Sequence, residues 1–370
     1  MAKFLFYDDQ IINILLKEEK PSGGAAVQAY GWIQGLLALG HEVYIITDMS
    51  RTGTLKEECK AIKFIPGYDS TKGIRWFRWI YYRIPYLYRE LKKAKPDYLY
   101  KGIPSWHSFV IGLVCQRLNI KFIQRISNDF LVDKRFLKNH SKANWAFQNM
   151  GMRLSNYILC QNEYQFDKIQ KQFPLKPVKK ISNPIYLSNN LVENRSDYRN
   201  YIAWLGLFQY QKNLKLLYEI ASKLPQQKFL IAGKESINID ADTLYYLDKL
   251  KELPNVSFYG FIKRDQVLPF LAKAKFLLNT SHYEGFSNTF LEAMVIGTPI
   301  LTSVNVNPDS IISDFNLGIV YENANDLLAK LSVVSPEGYK QMSDNVLEYV
   351  AAKHDYRPLT KELVGFLNDN

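Results

Sequence analysis

A chain of 370 residues with 47% hydrophobic content is long enough for two ordinary domains with real cores. It shows no run of about 18 apolar residues, so a membrane-spanning helix is not expected. The opening Met1–Tyr7 run, followed at once by Asp8 and Asp9, is too short for a signal peptide and reads as a first strand. The net charge of +11 is uneven: residues 1–180 carry 29 Lys and Arg against 15 Asp and Glu, while the remainder carries 18 against 21. A basic half points to an anionic partner, whether phosphate, nucleic acid or an anionic lipid surface. Cys59, Cys115 and Cys160 are scattered and odd in number, which gives no disulfide framework and fits a reducing cytoplasm. Neither they nor His41, His107, His140, His282 and His354 fall in a metal-binding spacing.

The first half alternates strand and helix. Lys3–Tyr7 reads as a strand and 8–22 as a long loop ending in Pro21-Ser22-Gly23-Gly24. A helix from about Ala25 to Leu39 stops at Gly40. Glu42–Thr47, Ile62–Ile65, Asp97–Tyr100, Lys121–Arg125, Ile158–Gln161 and Val178–Ser182 read as further strands. Helices are expected up to about Ala94 and over Ser105–Leu118 and Glu163–Gln172. Around Asn183-Pro184 the character changes, and 186–200 reads as a polar linker. The alternation then restarts, with strands at Tyr201–Leu205, Lys228–Ala232, Val256–Tyr259, Phe276–Asn279, Pro299–Thr302 and Gly318–Tyr321. Helices are expected at Leu214–Leu224, 241–252 and Asp265–Ala274, from about Ser287, and over most of 324–369. Strands separated by helices of about ten or more residues imply βαβ units. The chain therefore reads as two doubly wound α/β halves in tandem.

Ligands of such sheets bind beyond the carboxyl ends of the strands. One stretch at such an end concentrates chemistry. After Phe276–Asn279 come Glu284 on a tight loop and Glu292 eight positions on, with Gly285, Phe286, Ser287 and Asn288 between them at a helix start. A helix N-terminus receives an anion well. The plainer reading is a capping box, Thr289 to Glu292, with Glu284 a solvated loop residue.

The Glu284-to-Glu292 spacing, closing on Gly297-Thr298-Pro299-Ile300, resembles the E-x7-E motif of retaining glycosyltransferases with the two-domain GT-B fold, of the "group 1" or family four type. Other segments follow in that family's order. Gly23-Gly24 is similar to its glycine-rich loop, Ser182-Asn183-Pro184 to the end of its first domain, and Gly206 with Lys212-Asn213 to its donor phosphate motif. Pro254–Phe261 is similar to its Asn-Val-x-Phe-x-Gly stretch. The resemblance implies two Rossmann-like domains facing across a cleft. Residues 1–185 would be the acceptor-binding domain, 186–356 the donor-binding domain, and a last helix, near Pro358–Leu367 within 357–370, would cross back onto the first. It implies transfer of a hexose-type sugar from a UDP- or GDP-linked donor to a hydroxyl, with retention and without a cofactor or bound metal. Glu284 would hold the sugar, Glu292 the ribose and Lys212 the diphosphate. Gly24, Gly206, Gly233, Gly285, Phe286, Ser287 and Asn288 would complete the donor site. Front-face attack, with the leaving phosphate taking the acceptor proton, needs no side-chain base.

Two positions depart from the family. Leu207 stands where its arginine follows the motif glycine, and Lys234 or Arg264 is a candidate replacement; as a plain reading Arg264 is surface charge. Asn128 stands where relatives place a histidine; it either donates to a sugar hydroxyl or closes an Asx turn.

Residues 74–95 interleave aromatic and basic side chains, Arg75, Trp76, Arg78, Trp79 and Arg83 among them, with Pro85 expected to kink the helix. This pattern suggests an interfacial segment on an anionic membrane, at the inner face of the plasma membrane, and a lipid-linked or surface glycan acceptor. The plainer reading is a helix with an aromatic core face. Three rivals stand beside the transferase: a sugar-phosphate synthase with a soluble acceptor, a weakly active relative that only binds, and a nucleic-acid binder, for which no motif is present and none is expected.

Overall fold

A computed structural model of the chain describes residues 1–8, 10–17, 23–47, 53–75, 77–138, 140–186, 199–237 and 239–369. The linker expected over 186–200 falls almost wholly outside these, as do Trp76, Pro21 and Ser22. The chain divides into two compact units, unit 1 being Met1–Tyr186 with Tyr356–Asn370 and unit 2 being Leu187–Asp355.

In unit 1, β1 (Lys3–Tyr7), β2 (Glu42–Thr47), β3 (Lys63–Pro66), β4 (Tyr98–Lys101), β5 (Lys121–Arg125), β6 (Tyr157–Cys160) and β7 (Val178–Lys180) form a parallel sheet in the order β3-β2-β1-β4-β5-β6-β7. The helices α1 (Ile12–Leu15), α2 (Gly24–Ala38), α3 (Ile84–Ala94), α4 (Trp106–Leu118), α5 (Lys142–Leu154) and α6 (Glu163–Gln172) connect them. β4 and β6 are buried along their whole length. That is why β6 reads as a short unbroken apolar run and β4 as one broken only by its last residue, Lys101: helices cover both faces of a parallel sheet.

Unit 2 repeats the plan with β8 (Tyr201–Phe208), α7 (Leu214–Lys223), β9 (Phe229–Glu235), α8 (Ala241–Lys251), β10 (Val256–Gly260), α9 (Arg264–Ala272), β11 (Ala274–Asn279), α10 (Asn288–Val295), β12 (Ile300–Ser303), α11 (Ile311–Asp314), β13 (Gly318–Tyr321), α12 (Ala324–Ser332) and α13 (Pro336–His354). Its six strands are parallel, in the order β10-β9-β8-β11-β12-β13. In both sheets the strand order reverses once, at β1/β4 and at β8/β11. Such a reversal opens the crevice where doubly wound folds bind ligands.

The chain then returns to unit 1 as α14 (Tyr356–Asn368). Leu359, Leu363 and Leu367 enter the core that holds Ile33 and Leu36 of α2, each burial stabilising by about 2 kcal/mol. The approach is close: a Cβ on Gly35 would lie 1.9 Å from Thr360 Oγ1. Tyr157 donates to the Leu367 carbonyl at 3.2 Å, and Lys179 pairs with Glu362 at 2.9 Å.

Four details differ from the sequence reading. The loop expected at 8–22 contains α1. Helix α5, in a stretch to which the sequence reading gave no element, is started by Ser141, whose hydroxyl accepts from the Asn144 amide at 3.2 Å. In place of a simple kink, Pro85 stands at the start of α3 directly after a π-helical turn, Trp79–Arg83, and the backbone stays helical from one to the other through Arg83 and Ile84. Finally, β8 and β9 run past their expected ends, so Gly206 and Gly233 lie inside strands and face each other in the ladder.

Candidate active site

The carboxyl ends of β8 and β11, adjacent at the switch point of unit 2, bring together residues far apart in sequence. After β8 the chain makes a short turn, Tyr210–Lys212, and enters α7 through Asn213. Asn213 has φ +50°, a left-handed conformation that asparagine and glycine tolerate best, and its side chain caps α7 by accepting from the Leu216 amide at 3.2 Å. The loop after β11 lies against this turn. Trp204 Nε1 donates to Thr280 Oγ1 at 3.0 Å, and that hydroxyl donates to the Lys212 carbonyl at 2.8 Å. The His282 amide donates to the Gln211 carbonyl at 2.8 Å, and Gln211 Nε2 donates to the Tyr283 carbonyl at 3.0 Å. These bonds fix the two loops as one rigid piece.

Their product is the Lys212–Glu284 pair. Lys212 Nζ lies 2.6 Å from Glu284 Oε1, with the two side chains 16% and 11% exposed. Ser281 Oγ donates to the same oxygen at 3.0 Å. Gly206 makes room for the lysine stem, since a Cβ there would approach Lys212 Cε to 3.3 Å. Gly233 is required more strictly, because a Cβ would stand 2.1 Å from the Gly206 carbonyl oxygen. Both glycines serve the close approach of backbone and side chain beneath the site.

Glu292 is 3% exposed and sits inside α10, whose first residue is Asn288. It pairs with Arg264, the first residue of α9. The capping-box expectation is thereby corrected: Ser287 precedes the helix and its hydroxyl meets Thr289 Oγ1 at 2.9 Å, while Glu292 turns to a neighbouring helix. Arg264 is likewise no loose surface charge. Lys234, the other proposed stand-in for the missing arginine, lies with Nζ 5.0 Å above the Phe261 ring. Leu207 itself is exposed. Gly285 and Phe286 are buried, the Phe286 ring packing 5.0 Å from His354 and 6.3 Å from Phe290. His282 is exposed and stacks on Tyr210 at 4.7 Å, at the rim.

In unit 1, Gly24 opens α2 and the preceding Gly23 amide donates to the Gln10 side chain. Asn128 takes the Asx role: its side chain accepts from the Phe130 amide at 3.3 Å and starts a short 3-10 turn. Beside it, Asp129 accepts from Asn162 and Gln165 at 3.0 and 2.8 Å. Burial raises its carboxyl above the usual range, even against these donors. The sequence reading missed Arg125, which is fully buried at the end of β5 and donates to Gln28 and to the Ile181 carbonyl at 3.3 and 3.1 Å, and also to Asn183. No spacing signals it; only the fold brings β5, α2 and the 181–183 stretch together.

The basic-aromatic segment divides between fold and surface. Arg83 is buried, its guanidinium 4.8 and 4.9 Å from the Trp79 and Tyr68 ring centres. Trp79 in turn packs on Trp106 and His107, at 4.6 and 4.9 Å. Burial, with the Lys101 and Arg83 cations close by, pushes the His107 imidazole down to about 4. Arg75 is exposed and Arg78 partly so. Cys59, Cys115 and Cys160 are free and buried; burial pushes the Cys59 thiol up to about 11 and Cys160 to about 12. Among the described residues no cluster of three or more His, Cys, Asp or Glu is able to hold a metal, and no helix is long and apolar enough to cross a membrane.

Comparison with known proteins agrees with this arrangement. Residues 190–334 match the family described as Glycosyl transferases group 1, and residues 22–189 match Glycosyltransferase Family 4. The chain belongs to the group 1 glycosyltransferases of GT-B architecture. It is 25% identical over 368 residues to the alpha-monoglucosyldiacylglycerol synthase of Acholeplasma laidlawii, covering 89% of this chain and 88% of that one. Among solved structures, it resembles the sucrose-phosphate synthase of Thermosynechococcus elongatus at TM-score 0.74 and 15% identity, covering 100% of this chain and 99% of that one. Anabaena HepE in complex with UDP and glucose matches at TM-score 0.77 and 13% identity over 100% of both chains.

Proposed function

We propose that the protein is a retaining, metal-independent hexosyltransferase that moves a sugar from a UDP- or GDP-linked donor to a hydroxyl of a lipid-linked or surface glycan. The observation that carries this reading is the Lys212–Glu284 pair at the β8/β11 switch point, inside the stretch that matches the group 1 family. Unit 2 holds the donor and unit 1 the acceptor. Cleavage of the bond between the anomeric carbon and the β-phosphate oxygen builds negative charge on the diphosphate. Lys212 and the N-terminal end of α10, at Gly285, Phe286, Ser287 and Asn288, stabilise that charge. Glu284 orients the sugar through its hydroxyls, and Glu292 accepts from the ribose diol. The acceptor oxygen bonds to the same face of the anomeric carbon, and its proton passes to the departing phosphate oxygen.

No cofactor enters this scheme. The alpha-monoglucosyldiacylglycerol synthase likeness, together with the basic first half, supports a lipid acceptor and a peripheral position on the inner face of the plasma membrane. The test is thermal stabilisation by UDP, GDP and ADP and their sugars, since a ligand bound by the native state raises the midpoint by mass action. If none moves it, the reading fails. Leu207 favours a second reading, a relative that binds donor without transferring. Donor-induced stabilisation with neither hydrolysis nor transfer across a panel of acceptors would establish that one instead.

A further inference from the structure

We infer that the turn from Ile74 to Tyr81 in unit 1 is the surface by which this protein docks on an anionic phospholipid bilayer. Ile74, Phe77 and Ile80 enter the acyl boundary, while Lys72, Arg75 and Arg78 meet lipid phosphates. The inference rests on the lipid-acceptor reading above and gives it a physical site.

The first observation is exposure. Ile74, Phe77, Ile80 and Tyr81 are 68%, 62%, 73% and 52% exposed. Nowhere else among the described residues do four exposed large apolar side chains fall within eight positions. The backbone is turned helically here, the Phe77 and Arg78 amides donating to the Ile74 carbonyl and the Ile80 and Tyr81 amides to that of Phe77. A spacing of three therefore gathers Ile74, Phe77 and Ile80 on one side of the turn.

The second is that the turn is held in shape. Gly73, at φ +91°, starts it, and the Ile74 amide donates to the Tyr81 hydroxyl. Arg78 Nη1 and Arg83 Nη2 both donate to the Ser70 carbonyl, at 3.0 and 2.9 Å, and Arg83 is packed against Tyr68 and Trp79. The apolar tips are thus presented by a built element.

The third is charge. Between residues 72 and 95 stand Lys72, Arg75, Arg78, Arg83, Arg89, Lys92, Lys93 and Lys95 against Glu90 alone. Asp69, just before the turn, is occupied by Thr71 and Lys72. Apolar tips rimmed by cations complement a surface of repeated phosphates over hydrocarbon. An apolar protein partner would offer this excess of cations no anionic group.

The test is sedimentation of the full chain with phosphatidylglycerol/phosphatidylcholine vesicles and with pure phosphatidylcholine vesicles, at low and high salt. The protein should sediment with the anionic vesicles at low salt. The triple variant Ile74→Ser, Phe77→Ser, Ile80→Ser should partition at least ~10-fold less, while Ile237→Ser with Val333→Ser, exposed singles in unit 2, should change nothing. Equal partitioning of the triple variant, or failure of the native chain to bind anionic vesicles, overturns the inference. So does a native dimer that the triple variant converts to monomer, because the patch is then a self-contact. Should the triple variant not fold, Phe77→Trp replaces it. Its fluorescence should be quenched by brominated acyl chains on anionic vesicles, and no quenching overturns the inference. Stabilisation by the same panel of nucleotides and nucleotide sugars, measured on the same samples, separates the two readings: stabilisation without vesicle binding sinks only the docking surface, and vesicle binding without stabilisation by any of the panel sinks only the transferase.

Discussion

Lys212 Nζ and Glu284 Oε1 lie 2.6 Å apart although 72 positions separate them in the chain. The pair is held by the loops after two adjacent strands and is largely buried, so neither partner relaxes easily if the other is lost. Lys212→Met should lower transfer by about 100-fold or more, the scale of one lost charge-stabilising donor. Glu284→Gln should impair transfer while sparing UDP affinity, read by calorimetry. A lysine variant with normal turnover would remove it from the chemistry.

Glu292 and Arg264 make a second test. Glu292→Ala should weaken nucleotide binding about 10-fold, the worth of one good hydrogen-bonded contact, and leave turnover at saturating donor nearly unchanged. Arg264→Met, which leaves a buried carboxylate without its guanidinium, should lower the melting temperature as well as donor affinity. Both variants binding UDP normally would mean the pair only joins α9 to α10.

Two glycines should respond with opposite sign. Gly233→Ala drives a Cβ into the Gly206 carbonyl and should cost about 2 kcal/mol or more. Gly365→Ala, within α14 and with open space around it, should stabilise by up to about 1 kcal/mol through helix propensity. Denaturant midpoints at constant slope measure both.

His107 gives a pH dependence. Its folded value of about 4 lies below the ordinary 6.5, so between these limits the unfolded chain binds more protons. Stability is then fully present above pH 6.5 and is lost as pH falls toward 4, by on the order of 3 kcal/mol in total. His107→Phe keeps a ring against Trp79 and Trp106 and cannot titrate. The difference in stability between pH 6.5 and 4.5 should be smaller in that variant than in the native chain.

Transfer should continue in excess EDTA if the charge on the leaving group is met by Lys212 and the start of α10. Loss of activity restored by a divalent cation would refute that part of the scheme.

The parallel sheets were legible because their strands are short apolar runs between helical patterns, and the Glu284–Glu292 unit because it is contiguous. What was hidden is what depends on contact. Thr280 and Gln211 look like ordinary polar loop residues, and only the adjacency of β8 and β11 makes them the fasteners beneath Lys212. Arg264 read as surface charge because nothing in its neighbourhood announces Glu292. Thr289 to Glu292 fitted a capping box by spacing alone, and a tertiary ion pair took its glutamate. The aromatic-basic stretch showed composition without direction. It gave no sign that Arg83 turns inward while Ile74, Phe77 and Ile80 stay out.

The return of α14 to unit 1 has a consequence for synthesis. The first unit emerges from the ribosome through Tyr186 without the helix that supplies Leu359, Leu363 and Leu367. At ordinary translation speeds the intervening stretch takes roughly 10–35 s to make. For that interval the α2 face that receives α14, around Ile33, Leu36 and Gly35, stands uncovered. The nascent chain should therefore engage chaperones at that groove until its own closing helix arrives.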